Sequence, residues 1–193
     1  MYKNSAAGSL AAITLFITVI IVVSYHGYSN RVFTSGKQTV TVDAPEKAYA
    51  VWRQKGVKGR TLLLFDNYPH MRGRFNYAGE PLLEPTNLVE FSIFENIVRK
   101  IYFIVPDAAW EDFLGRKTTR PIKAISGLAK GVFLYNLNGT PMIATTPSSL
   151  PHVSERALVY INSSIFDPIE VEELLGQREI ASDIIVIYRD NRK

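Results

Sequence analysis

From Asn4 to Asn30 the chain carries no formal charge, whereas all 18 acids and all but one of the 22 bases lie after it. Residues 6–25 read AAGSLAAITLFITVIIVVSY. As a helix, such a stretch rises roughly 30 Å, one hydrocarbon thickness. The β-branched run from Ile17 to Val23 is poor helix material in water. In hydrocarbon every backbone group must bond within its own segment, and the helix is favoured. Leu10, Ile13, Phe16, Ile17, Ile20 and Val23 are the expected membrane anchor, with Tyr25 and Tyr28 at the far interface and Lys3 at the near one. The stretch exceeds the apolar core of a secretory signal, and Ser24-Tyr25-His26-Gly27-Tyr28 offers no small-residue cleavage site. The sequence therefore predicts an uncleaved single-pass anchor. Basic residues are almost balanced across it, Lys3 against Arg31 and Lys37, and the reading adopted places the globular part on the non-cytoplasmic side. Gly8 and Ala12 form a small-xxx-small pair that would let another helix approach, or simply face lipid.

The expected organisation is a tail at 1–5, the anchor at 6–25, a linker at 26–46 and one domain at 47–193. Within 26–46, the alternating patch Thr39 to Val42 reads as linker or edge strand. A net charge of +4 argues against a dedicated polyanion binder, so no nucleic acid is expected as a partner. With no cysteine there is no disulfide scaffold, thiolate zinc site or cysteine nucleophile.

Beyond the linker, short aliphatic runs recur at Thr61 to Phe65, Ile101 to Val105, Val132 to Tyr135, Leu158 to Ile161 and Ile184 to Tyr188. They read as buried strands. Helical patterns separate several of them. One is predicted over Asn87 to Lys100, with a stripe of Leu88, Phe91, Phe94 and Val98, a cap at Thr86 or Asn87, and Arg99-Lys100 at its carboxyl end. A second runs from Asp107 to Gly115, and a third from Pro168, a first-turn proline, to Gly176 as its stop. Strand, helix, strand at this spacing predicts an α/β fold: a three-layer sandwich with a mainly parallel sheet and right-handed crossovers.

In open parallel sheets, chemistry collects just beyond the carboxyl ends of the strands. Asp66-Asn67-Tyr68-Pro69-His70-Met71 follows one run, and Asn162-Ser163-Ser164-Ile165-Phe166 follows another. Together with residues 87–110, which end in Val105-Pro106-Asp107 and Trp110, and with 182–189, these stretches resemble a small-domain branch of the arginase-like (ureohydrolase) superfamily. The resemblance runs collinearly from Ala48 to Arg189. It implies a strand followed by D-x-H-x-D, a later strand followed by D-x-D, and a pair of divalent ions, typically manganese. Those ions would activate water against a carbon–nitrogen bond. Hard dications need oxygen ligands and charge cancellation.

The chain departs from that pattern at almost every ligand. Asp66 matches the first aspartate. Tyr68 stands where histidine is implied, and His70 where the second aspartate is. Asn162 and Ser164 replace both aspartates of the later motif. Neutral amides and hydroxyls cannot balance two dications, so no metal and no other cofactor is expected, and the five residues read as a vestigial cleft.

Other features carry weaker signals. Asp66 with His70 offers a single-metal or acid–base alternative, against a loop aspartate and a surface histidine. His26 and His152 show no ligand spacing, and no G-x-S-x-G elbow surrounds Ser148, Ser149, Ser163 or Ser164. Lys55-Gly56-Val57-Lys58-Gly59-Arg60 precedes its strand and lacks the order of a phosphate loop. Arg116, Lys117, Arg120 and Lys123 form the densest basic patch, a headgroup or partner contact if it is not a solvated face. Asn138-Gly139-Thr140 and Asn162-Ser163-Ser164 fit the glycosylation pattern. The expectation is a membrane-anchored pseudoenzyme serving as accessory or scaffolding subunit of a larger complex. Its partners would be other membrane protein subunits, and the lipid bilayer through residues 6–25. Tyr77, Trp110 and Phe113 are candidate contacts. The alternatives are a tethered hydrolase of amide or guanidino bonds and a small-ligand sensor.

Overall fold

The computed structural model describes residues 37–71, 83–117, 123–124, 129–137 and 139–190. The anchor expected at 6–25 lies outside them, as do Tyr77, Arg120 and Asn138, and the side chains of Arg116, Lys117 and Lys123. Among the described residues no helix is long and apolar enough to cross a membrane.

The strands are β1 (Gln38–Val42), β2 (Arg60–Phe65), β3 (Val98–Ile104), β4 (Lys123–Ala124), β5 (Gly131–Leu137), β6 (Thr140–Thr145), β7 (Ala157–Asn162) and β8 (Ser182–Tyr188). The helices are α1 (Lys47–Gln54), α2 (Leu88–Phe94), α3 (Trp110–Lys117) and α4 (Pro168–Gln177). All eight strands form one sheet in the order β1-β8-β7-β2-β3-β6-β5-β4. Neighbours from β1 to β6 pair in parallel, whereas β5 pairs antiparallel with β6 and β4 with β5. The fold is thus α/β with a mixed, mostly parallel sheet. Each of the five apolar runs forms or enters a strand, and the patch at Thr39 to Val42 is the edge strand β1.

Side chains alternate across each strand and separate two cores. On one face Leu62, Leu64, Ile101, Phe103, Leu158, Tyr160, Ile184 and Val186 pack with Ala48, Tyr49 and Trp52 of α1, Leu88, Val89 and Ile93 of α2, and Trp110 and Phe113 of α3. On the other, Leu63, Phe65, Val159, Ile161 and Ile185 pack with Val171 and Leu175 of α4. Fully burying one such aliphatic side chain contributes about 1.5–3 kcal/mol. Trp110 and Phe113, offered as partner contacts, are only 4% and 8% exposed, because α3 turns Phe113 onto Phe103 and Trp110 onto Phe113.

The helix expected over Asn87 to Lys100 stops at Phe94. Asn96 takes a left-handed backbone (φ 56°), its amide bonds to Ile93 O at 2.9 Å, and the Ile97 amide bonds to Ser92 O at 2.8 Å. This paired closure ends the helix and buries Ile97, so Val98, Arg99 and Lys100 belong to β3. Phe94, expected on the buried stripe, is 56% exposed. Asn87 does not cap the helix with its side chain; its Oδ1 accepts from the Glu84 amide at 2.8 Å. Helix α4 starts at Pro168 as expected, with Asp167 accepting from Ile169 N at 2.8 Å. It runs through Gly176, and the left-handed residue is Glu179 (φ 54°). In α1 that position is Gly56 (φ 65°), which gives the glycine of the basic loop a purely structural use.

Candidate functional site

The chain steps from β2 to β3 on one side, and later β7 and β8 fill the other side of β2. Reversal of winding makes the carboxyl ends of β2 and β7 the switch point, where no crossover covers the gap between adjacent strands. Phe65 is in register with Ile161, so the next residues, Asp66 and Asn162, lie side by side.

Asp66 is 1% exposed, and its carboxylate is fully engaged. Oδ1 accepts from the amides of Asn67 (2.6 Å) and Tyr68 (3.2 Å), and the Asn162 amide Nδ2 lies 3.2 Å from both carboxylate oxygens. Oδ2 lies 3.0 Å from His70 Nε2. His70, read from sequence as a surface histidine if not a ligand, is 6% exposed. It holds a left-handed backbone (φ 49°), its carbonyl accepts from Val89 N at 3.3 Å, and its Nδ1 faces the Pro85 carbonyl. The imidazole thus joins the end of β2 to the entry of α2.

A carbonyl only accepts, so Nδ1 donates to Pro85, and Nε2 is directed at Asp66 Oδ2. Both ring nitrogens are engaged, and Asn162 turns its donating end toward Asp66. A divalent ion needs lone pairs aimed at it. This donor set does not fit a metal pair, nor does it leave His70 a nitrogen for one ion. Among the described residues no three His, Asp or Glu side chains cluster as a metal site.

Of the five residues of the expected cleft, Asp66, His70 and Asn162 are in direct contact, and the Tyr68 ring stands edge-on to His70 at 5.2 Å. Ser164 is brought in only through its backbone, which donates to Asn162 Oδ1 at 3.1 Å; its side chain is exposed. His152 stays apart, with Nδ1 3.2 Å from Arg178 O. Asp107, from Val105-Pro106-Asp107, accepts from Ser148 Oγ at 2.5 Å and Lys130 Nζ at 3.3 Å, bracing the end of β3 against the turn after β6. Burial pushes its carboxyl up, but hydrogen bonds from Ser148, Thr146 and Lys130 outweigh that and hold it below the usual range. The Ser148 hydroxyl braces Asp107.

Sequence reasoning missed Tyr160. It shares a face with Asn162 two residues on, a signal that strand alternation carries. Its ring meets His70 at 5.6 Å, and its hydroxyl is buried without a partner among the described residues. Burial pushes this phenol far up, reinforced by Asp66, Tyr188 and Glu46. Glu46 Oε2, at the start of α1, is likewise buried and unpartnered among the described residues.

Comparison of the chain with models of known protein families, with curated proteins and with solved structures finds no match.

Proposed function

We propose that the chain is a single-pass membrane protein whose domain is a degenerate arginase-like three-layer sandwich, acting as an accessory or scaffolding subunit of a larger membrane complex. The domain stands on the non-cytoplasmic side of the anchor at 6–25. The observation that carries this reading is the internal satisfaction of Asp66. The one carboxylate left from the implied ligand set is taken up by two backbone amides, Asn162 and His70. A hydrolytic centre needs acceptors turned outward to substrate, metal or water. Here they turn inward. The anchor supports partners in the same bilayer.

The test is to isolate the tagged full-length protein from its own membranes in mild detergent, identify stoichiometric partners by mass spectrometry, and measure bound metals in the same sample. A stoichiometric membrane partner and no bound transition metal are expected. Manganese, iron or zinc near one per chain would restore the hydrolase. A second reading, a small-ligand sensor at the same edge, is favoured by the unpartnered Tyr160 hydroxyl and Glu46 Oε2, whose charge acts on that phenol. Thermal-shift screening with polyamines and guanidino compounds tests it.

A further inference from the structure

Strand β1 is the outermost of the sheet, and no described residue pairs with its outer side. Its inner side is fixed by register with β8, Gln38 to Ile184 through Val42 to Tyr188, and by the Arg189 amide, which donates to Val42 O at 2.9 Å. Amide and carbonyl of a given strand residue point to the same side, and successive residues alternate. Gln38, Val40 and Val42 therefore bond to β8, and Thr39 and Thr41 hold their N–H and C=O outward. Edge strands are usually protected by a central lysine, a proline or a bulge. The segment QTVTV has none of these. Thr39 and Thr41 are exposed, and Val40 is only partly buried against the core.

We propose that this edge pairs with its own copy, β1 running antiparallel to β1 of a second chain about a two-fold axis at Val40. Of the symmetric registers, the one centred on Val40 alone pairs Thr39 and Thr41 entirely within the two strands. Thr39 faces the copy's Thr41 as a hydrogen-bonded pair, Thr41 faces its Thr39 likewise, and the two Val40 residues form the closer, non-hydrogen-bonded pair between them. The same register sets Lys37 beside the copy's Asp43. Lys37 is already paired with Glu172, and Asp43 lies 2.5 Å from Lys47, all four side chains being well exposed. The result is a row of alternating charge, Glu172, Lys37, Asp43 and Lys47, with the last two from the copy, repeated by the two-fold axis. The self-complementary ends argue for a second copy as the occupant. This inference is independent of the pseudoenzyme reading.

The test uses the full-length chain in mild detergent. Because the sequence has no cysteine, Val40→Cys introduces the only thiol. On mild oxidation it should form a covalent dimer at least tenfold faster than Ile169→Cys, a control on α4 that is 69% exposed. Light scattering should give twice the single-chain mass for the wild type. Thr41→Pro removes an outward N–H without touching β8 and should give the single-chain mass, with unchanged circular dichroism. Lys37→Glu and Asp43→Lys should each weaken the dimer, and the double swap should restore it. A wild type of single-chain mass at tens of micromolar, a dimer that survives Thr41→Pro, or equal cross-linking at positions 40 and 169 would each overturn the proposal.

Discussion

Replacing Asp66 by alanine distinguishes a retired cleft from a working one, because the two respond with opposite sign. Residues of a working site are held unsatisfied for their ligand, and truncating them commonly leaves a protein as stable or more so. Asp66 is 1% exposed and accepts from two backbone amides and the Asn162 amide, besides lying 3.0 Å from His70 Nε2. Asn67 is exposed, while Tyr68 and Asn162 are partly accessible, so water replaces part of what these three lose. The His70 side chain is 7% exposed and loses its partner at Nε2 outright. Leaving a buried polar group unsatisfied costs about 1–3 kcal/mol. For a domain of this size that lowers the melting temperature by roughly 5 °C.

The assay is thermal unfolding of the full-length protein in detergent, followed by tryptophan fluorescence. The two tryptophans, Trp52 and Trp110, are 0% and 4% exposed in the first core, so the signal reports on the domain alone. In a cycle with Asn162→Ala, the double variant should lose less than the sum of the singles, by about 0.5–3 kcal/mol. If Asp66→Ala leaves the melting temperature unchanged or raises it, the carboxylate is not consumed internally, and the retired-site reasoning fails.

Three further outcomes are expected. Asn162→Asp places a second carboxylate where Asp66 now meets a donor; it should cost roughly 1–3 kcal/mol at neutral pH and recover part of that as pH falls, since protonating either acid restores a donor, and urea midpoints at two pH values measure it. Tyr49 donates to Glu95 at 2.5 Å, and burial together with that bond pushes its phenol up to about 12. A pKa raised on folding contributes stability that is complete below the unfolded value near 10 and is lost as pH rises through the folded one, so the wild type should weaken between pH 10 and 12 and Tyr49→Phe should flatten that decline in a denaturant series. Phe94→Ala should change stability by no more than about 0.5 kcal/mol in the same assay, because the ring is 56% exposed.

The parallel strands were legible because burial on both faces leaves near-continuous aliphatic runs, as in Leu62 to Phe65 and Leu158 to Ile161. Helix α1 was not, since Lys47–Gln54 is only eight residues long, and its buried stripe, Ala48, Tyr49 and Trp52, ends before a second repeat. β6 was hidden by Pro141, which sits at the second residue of the strand, before its pairing with β3 begins at Met142. Over-extension of α2 came from reading Val98 as a fourth turn of the stripe, although Asn96 was the local stop signal. At the site, Asp66 and Asn162 could be placed together because both follow central strands. The burial of His70 could not be read. It depends on a left-handed turn and on Pro85, fifteen residues away, neither of which leaves a mark in spacing.

The substitutions at the switch point, taken with the proposed ancestry, amount to replacement and not simple erosion. A two-metal site sheds its ions when its acids go, and an aspartate left behind there is a buried charge without a partner, at a cost of several kcal/mol. Drift alone would remove Asp66 next. Under the proposed ancestry the aspartate would be kept, and the two changes nearest to it would supply what the cations did. On that proposal position 162 would have exchanged an acceptor for the amide that now donates to both carboxylate oxygens, and position 70 would have gained the imidazole whose Nε2 lies 3.0 Å from Oδ2. Both changes lower the charge of the pocket while keeping β2, β7 and the entry of α2 tied to one atom group. What such a pattern preserves is the shape of the sheet's carboxyl edge. A domain used for its surface requires that edge to be stiff, and stiffness without a metal requires a carboxylate whose every acceptor is filled from within.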